Sequence, residues 1–88
     1  MAWTINYSDS ALKELRKLDR QSAKRILDFM DNRIAVLDEP RDRGKALTGP
    51  LGALWRFRVG EYRVICDIQD AELIVLVIKV GNRKDVYR

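Results

Sequence analysis

Hydrophobic and polar residues alternate most regularly over residues 53–68, the segment ALWRFRVGEYRVICDI. Two alternating runs meet at Gly60-Glu61, and a two-residue connection with glycine first predicts a β-hairpin with a type II′ turn. This turn fixes the register and sets Arg58 directly opposite Arg63. Side-chain alternation then separates an apolar face from a face rich in arginine. The apolar face carries Trp55, Phe57, Val59, Tyr62, Val64, Cys66 and Ile68, and the other carries Arg56, Arg58, Arg63, Ile65 and Asp67.

The first half of the chain predicts one strand followed by two helices. Alternation over residues 2–7 is typical of a strand with one buried face. Ser8 is a suitable N-cap for a helix over residues 9–18, and Asp19 both ends that helix and caps the next. Pro40 ends the second helix. Its apolar stripe recurs at helical spacing and consists of Ala23, Ile26, Leu27, Met30, Ile34 and Leu37.

The second half predicts a loop and a buried strand around the hairpin. Residues 38–52 contain both prolines and have no hydrophobic period, which indicates a connecting loop. Residues 73–80 hold seven apolar residues in eight, mostly β-branched, which favours a strand with neighbours on both sides. Gly81 is expected to end it, and the tail 81–88 interleaves cations with an aromatic residue.

Composition makes the chain an ordinary globular protein, with residues 1–88 expected to form one domain. No apolar run has the length of a membrane span and no signal peptide is visible, so we expect a cytoplasmic protein that does not bind membranes. The net charge of +4 lies wholly in residues 41–88, which hold ten Lys/Arg and six Asp/Glu. A basic excess beside the arginine hairpin is typical of a nucleic-acid binder. The single Cys66 is expected to be buried and structural.

The side-chain inventory narrows the chemistry. With no histidine and one cysteine, the chain has neither a Ser-His or Cys-His nucleophile pair nor a common zinc site, and scattered carboxylates disfavour a two-metal nuclease. What it allows without a metal or cofactor is phosphoryl transfer in which the substrate supplies the nucleophile, as RNA does through its 2′-hydroxyl. Arginine stabilises the developing charge but is a poor general base.

Candidate site residues follow from this chemistry. Like charges opposite each other on paired strands cost about 0.2–1 kcal/mol, a cost that a bound anion removes. The alternative is a solvated outer face with Asp67 as a partial counter-charge. Tyr87 is predicted to stack on a base, the alternative being a ring packed over the sheet edge. The candidates for stabilising charge on the phosphate are Arg56, Arg58, Arg63 and Arg83, and the further RNA-binding candidates are Lys45, Lys84 and Arg88.

Two motifs resemble the RelE/ParE superfamily of toxins from type II toxin–antitoxin pairs. They are LWRFRVGEYRVI at 54–65 and VGNRKDVYR at 80–88, and the similarity extends to the helix 11–18. The resemblance implies an α+β domain, β-α-α-β-β-β, with a two-helix hairpin packed on a twisted antiparallel sheet. It also implies a RelB-like antitoxin as partner in a hetero-oligomer.

The RelE branch of this superfamily cleaves mRNA in the ribosomal A site by 2′-hydroxyl attack without a metal. The resemblance implies that the catalytic residues are those that match its functional positions, namely Arg56, Arg58, Arg63, Arg83 and Tyr87. Arg56 and Arg58 stand where studied relatives have lysines, so the general base stays open between Arg58 with assisted transfer, Asp67, Glu61 and ribosomal RNA. Thr48 replaces a loop arginine, and Asn82 a frequent histidine. The resemblance leaves two further possibilities, a ParE-like inhibitor of DNA gyrase and a catalytically weak relative that only binds antitoxin.

Overall fold

The computed structural model describes residues 2–47 and 53–84 and packs two helices on a five-stranded sheet. The helices are α1 (Asp9–Lys17) and α2 (Arg20–Phe29). The strands are β1 (Thr4–Tyr7), β2 (Lys45–Ala46), β3 (Trp55–Val59), β4 (Tyr62–Gln69) and β5 (Ile74–Asn82), and they lie in the order β1-β5-β4-β3-β2. The predicted α+β architecture is confirmed, with β2 as an added short edge strand inside the expected loop.

The sheet differs from the expected antiparallel sheet in one pairing, because β1 runs parallel to β5. Strands joined by tight hairpins must be antiparallel, but β1 is separated from β5 by both helices and the rest of the sheet, so its direction is free. β1 pairs only with the first half of β5, and beyond the end of β1 helix α1 covers the edge of β5 that would otherwise be unpaired. The Ser8 N–H donates to the Val77 carbonyl at 2.8 Å, and the Val80 N–H donates to the Glu14 carboxylate at 2.9 Å.

The β3–β4 hairpin has the predicted register, with Arg58 opposite Arg63 and Trp55 opposite Cys66. Gly60 has a φ of +59°, as the first central position of a type II′ turn requires. The apolar face of the hairpin, including Phe57, is buried against the helices. Period-two alternation and the turn together therefore fix this part of the fold.

The helices begin where the sequence predicts, with Ser8 and Asp19 as N-caps accepting from the N–H groups of Ala11 and Ser22, each at 3.0 Å. The apolar stripe of the second helix predicts that it continues to about Leu37. Instead α2 ends at Phe29 and a π-helical turn follows over Met30–Ile34. Such wide turns often occur at functional sites, and this one borders the candidate site described below.

The core between helices and sheet is apolar and contains the only cysteine. Cys66 is completely buried, and burial raises the pKa of its thiol well above the ordinary range. Its predicted structural role is confirmed by this position, because the thiolate needed for reactivity is strongly disfavoured there. No helix within residues 2–47 and 53–84 is long and apolar enough to cross a membrane.

Arg41 connects the loop after α2 to the turn between β4 and β5. Its guanidinium donates two hydrogen bonds to Asp70, at 2.8 and 2.7 Å, and contacts Glu39 at 3.2 Å. It also lies 5.7 Å from the centre of the Trp55 ring. Arg41 thus has a structural role, which separates it from the loop cations that face the candidate site.

The Arg41–Asp70 pair predicts a defined acid dependence of stability. Hydrogen bonding to Arg41 holds the pKa of the Asp70 carboxyl below its usual value. A lowered folded-state pKa contributes stability above the unfolded value of about 4, and the contribution is lost as pH falls through the folded value. Asp70→Asn is therefore expected to lower stability at neutral pH and to flatten the loss of stability below about pH 4.

Urea unfolding followed by circular dichroism at a series of pH values measures this effect. The matched control is Asp42→Asn, because the Asp42 carboxylate lies on the same loop and forms no salt bridge with any described residue. If the free energy of unfolding changed its dependence on pH equally in both variants, a specific role for the Arg41–Asp70 pair would be contradicted.

Candidate nucleic-acid interface

Three neighbouring strands bring arginines to one end of the sheet. Arg58 on β3 lies opposite Arg63 on β4, and Arg63 lies opposite Gly81 on β5. Arg83 follows two residues later, and its N–H donates to the Glu61 carbonyl at 3.0 Å, which fastens the end of β5 to the hairpin turn. With strands about 4.8 Å apart, this row spans roughly 10 Å.

The opposed pair Arg58 and Arg63 has two different environments. The Arg58 side chain is exposed, whereas Arg63 is only 6% exposed. The guanidinium of Arg63 donates to the carbonyls of Gly60 at 3.3 Å and Tyr62 at 3.0 Å. Arg63 therefore supports the hairpin turn, and its contact with a bound anion stays a prediction.

A small cavity of about 190 Å³, which we call the arginine cavity, lies beside β3 where β2 begins. Lys45 on β2 lies opposite Arg56 on β3 in the strand register. The backbone pairing of β2 with β3 therefore sets the spacing of two cations that line the cavity. The Arg56 Nε–H is buried without a hydrogen-bond acceptor in the described part of the chain. The described residues that line the arginine cavity are one aromatic residue, Phe29, and four cations, Arg43, Lys45, Arg56 and Arg58. No carboxylate is among them.

A larger cavity of about 520 Å³, which we call the edge groove, continues from the arginine cavity toward α2. The two share Phe29, Arg43 and Arg58. Its other described lining residues come from α2, the π-helical turn, the end of β3 and the hairpin turn: Arg25, Asp28, Asn32, Arg33, Val59 and Gly60. Helix and sheet edge together thus build one basic surface, of which the hairpin arginines are only part.

The sequence alone does not identify the contribution of α2, because the charges of this helix have the pattern of a solvated surface. Arg25, Phe29 and Arg33 recur at four-residue steps, which places them on one side of a helix, next to the buried stripe. That spacing is the signal that could have identified them. Which sheet edge this side meets is a tertiary fact that spacing does not contain.

Two of the remaining candidates, Arg83 and Lys84, lie at the end of β5. Arg83 and Lys84 are exposed just after β5, and the Lys84 N–H donates to Asn82 Oδ1 at 3.1 Å. Tyr87, Arg88 and the position of Thr48 lie outside the described residues. The roles of Lys84, Tyr87 and Arg88 stay predictions.

The arrangement is suited to binding a phosphate and stabilising negative charge on its oxygens. Guanidinium groups stay protonated and offer paired donors, so they supply charge without exchanging protons. Two carboxylates are candidates for the proton acceptor. Glu61 is exposed at the hairpin turn, and Asp67, on the same face as Arg56, accepts a hydrogen bond from Gln69 at 3.2 Å. Neither is singled out as a proton acceptor by its contacts.

Comparisons with known proteins point to one family of toxins. Residues 5–87 match the family described as ParE toxin of type II toxin-antitoxin system, parDE. The chain is 33% identical to the mRNA interferase toxin RelE of Escherichia coli strain K12 over 99% of the chain and 92% of that relative. It is 28% identical to Toxin RelG of Mycobacterium tuberculosis over 100% and 99%.

The fold is also similar to a toxin in a solved complex. In the crystal structure of the toxin-antitoxin complex RelBE2 from Mycobacterium tuberculosis, one chain superposes with a TM-score of 0.87 at 26% identity. The match covers 97% of the present chain and 95% of that one.

Proposed function

The chain belongs to the ParE toxin family of type II toxin–antitoxin systems, and from this premise we propose that it is a RelE-type endoribonuclease that cleaves mRNA on the ribosome. The observation that carries the proposal is the arginine cavity, in which four cations converge and no carboxylate among the described lining residues neutralises them. A site that must stabilise charge on a phosphate needs such a set. The similarity to a toxin named mRNA interferase supports the same activity.

The proposed reaction is an in-line transfer in which the RNA provides its own nucleophile. The 2′-oxygen attacks the adjacent phosphorus, the bond from phosphorus to the 5′-oxygen breaks, and the products are a 2′,3′-cyclic phosphate and a 5′-hydroxyl. One proton leaves the 2′-hydroxyl and one is added to the departing 5′-oxygen. Arg56 and Arg58 bind the phosphate oxygens and stabilise their increased charge in the transition state.

Other residues have positioning roles in this proposal. Arg63 holds the hairpin turn and Arg83 lies beside it, so both define where the scissile phosphate binds. Tyr87 stacks on a base, and Lys45, Lys84 and Arg88 contact the RNA backbone. The proton acceptor is Arg58 with an assisted proton transfer, Glu61, Asp67 or a group of the ribosomal RNA. Glu61→Gln and Asp67→Asn separate these alternatives by the rate of cleavage.

We further propose a RelB-like antitoxin as the protein partner, in a hetero-oligomer. Solved neighbours of this chain are toxins in complex with RelB antitoxins. An apolar cavity of about 410 Å³ between α1 and α2, lined by Leu12, Leu15, Leu18, Ala23 and Leu27 with Arg16 and Arg20, supports this proposal. An acidic amphipathic helix would bury its apolar face there and pair with the two arginines.

Induction of the chain alone tests the proposed activity. New 5′ ends of mRNA are mapped by primer extension, and gyrase-linked DNA breaks are measured in the same culture. We expect cuts confined to translated codons. DNA breaks with intact mRNA would instead support the second candidate, a ParE-like gyrase inhibitor, whose branch shares its name with the matched family. Normal growth would support the third candidate, a catalytically weak relative that only binds antitoxin.

A further inference from the structure

The edge groove contains more positive charge than the cleavage chemistry uses. Four guanidinium groups line it, those of Arg25, Arg33, Arg43 and Arg58, against the single carboxylate of Asp28 among its described lining residues. None of the four forms a salt bridge with any residue in 2–47 or 53–84. Clustered cations without counter-charges raise the local potential, which attracts a polyanion.

Two of these side chains are positioned by specific contacts. An ideal Cβ built on Gly60 would lie 2.8 Å from Arg25 Nη1, so the Arg25 guanidinium rests directly over the hairpin turn. The guanidinium of Arg43 lies 5.9 Å from the centre of the Phe29 ring. Packing that limits the motion of a long side chain reduces the entropic cost of binding a ligand with it.

The groove and the arginine cavity are continuous through Arg43, Arg58 and Phe29. An RNA strand whose scissile phosphate lies in the arginine cavity therefore has a direct basic path across Phe29 to Arg25 and Arg33. The cavity volumes agree with this division, because about 190 Å³ holds a small group and about 520 Å³ holds a longer stretch.

We propose that the edge groove is a second RNA-binding site, in which Arg25, Arg33 and Arg43 bind phosphates of the sugar–phosphate backbone away from the cleaved bond. This inference rests on the proposed function for the identity of the polyanion as RNA. The backbone belongs either to the mRNA strand or to ribosomal RNA. Phosphate contacts of this kind position the RNA and carry no base specificity.

The test is the salt dependence of RNA binding by the purified chain. Binding of a short fluorescent single-stranded RNA is followed by anisotropy over a series of KCl concentrations, for the wild type and for Arg25→Ala/Arg33→Ala. Log affinity falls as log salt rises, and removing one cation that binds a phosphate reduces the steepness of this fall by about 0.7. For the double variant we expect the steepness to decrease by about 1.4 and the affinity at moderate salt to be roughly 10-fold lower.

The matched control is Lys17→Ala/Lys24→Ala, which removes the same charge from exposed positions on the helices outside both cavities of the site. We expect it to leave the slope unchanged. An equal decrease in both double variants, or no decrease in the groove variant, would overturn the second site. Circular dichroism establishes that each variant is folded.

Two further measurements identify the source of the backbone. If the groove binds ribosomal RNA, the groove variant loses affinity for ribosomes that carry no mRNA. If it binds the mRNA strand, affinity for those ribosomes is retained and the KM for cleavage of translated mRNA rises. Either result supports the second site, and a groove variant unchanged in both overturns it.

The two proposals fail in different ways. RNA binding is measured on uncut RNA, so a wild-type chain that cuts no mRNA but shows the expected decrease of slope in the groove variant disproves only the endoribonuclease. A chain that cuts mRNA while the groove variant keeps its slope disproves only the second site.

Discussion

Arg58→Ala is expected to lower the rate of ribosome-dependent mRNA cleavage about 100-fold or more, because removing one donor to the developing charge has an effect of this size in other enzymes. Arg58 is exposed and lines both the arginine cavity and the edge groove, so no other hairpin residue contacts as much of the proposed RNA path. The measurement is the cleavage rate of a programmed ribosome at saturating protein.

The same substitution is expected to leave stability unchanged or to increase it by about 0.2–1 kcal/mol. Arg58 lies directly opposite Arg63, and truncation removes this like-charge pair while burying nothing new. Higher stability with lower activity is the result expected for a residue retained for function at the expense of folding. Urea unfolding by circular dichroism measures it.

Two variants make the Arg58 result specific. Arg58→Lys keeps the charge but loses the paired donors of guanidinium, so its cleavage rate should lie between wild type and Arg58→Ala. Lys24→Ala removes an exposed cation from α2 that lines neither cavity, and should cleave at the wild-type rate. Full activity of Arg58→Ala, or a loss of activity that follows a loss of folding, would contradict the proposed role.

The hairpin was predictable from sequence because its information is local. Alternation with period two, interrupted only at Gly60-Glu61, admits one register, and a shift by one residue would turn Phe57 to solvent and Arg58 to the core. The capping residues Ser8 and Asp19 were predictable for the same reason, since a cap acts within three residues of its own position.

Properties that depend on distant residues were not predictable. The parallel direction of β1 depends on its pairing with β5, from which both helices and three strands separate it in the chain, and the π-helical turn at Met30–Ile34 has no composition that marks it. Alternation assigned Arg63 to the face with Arg58 but did not indicate that it is buried. The edge groove requires α2 to lie beside the unpaired part of β3, which no periodicity encodes.

The second large effect concerns the residue between the two hairpin arginines. Phe57 is 1% exposed and packs in the core, while its neighbours Arg56 and Arg58 point to the opposite face. Phe57→Ala is expected to destabilise the fold by about 3–5 kcal/mol, since truncating a buried phenylalanine leaves a cavity. Domains of this size are stable by about 5–15 kcal/mol, so the variant should be largely unfolded on mild heating. Thermal unfolding followed by circular dichroism measures the loss.

Phe57 also fixes the loop that carries Arg43 and Lys45. An ideal Cβ on Gly44, between them, would lie 2.9 Å from Phe57 Cε1 and 3.0 Å from the Arg56 carbonyl oxygen. Gly44→Ala must therefore displace either the ring or the loop, and overpacking of this kind costs about 1–3 kcal/mol. Because the loop supplies two cations of the arginine cavity, RNA affinity should fall together with stability.

A double-mutant cycle between Gly44 and Phe57 shows whether the Phe57 ring or the Arg56 carbonyl causes the destabilisation by Gly44→Ala. Leucine lacks the outer ring carbons, so Phe57→Leu removes the closest side-chain obstacle while the Arg56 carbonyl stays in place. Gly44→Ala should consequently cost less in the Phe57→Leu background than in the wild type, with a coupling of about 0.5 kcal/mol or more. Additive effects in urea unfolding would mean that the ring yields freely. The contact with β3 backbone would then be what sets the position of Arg43 and Lys45 beside the phosphate site.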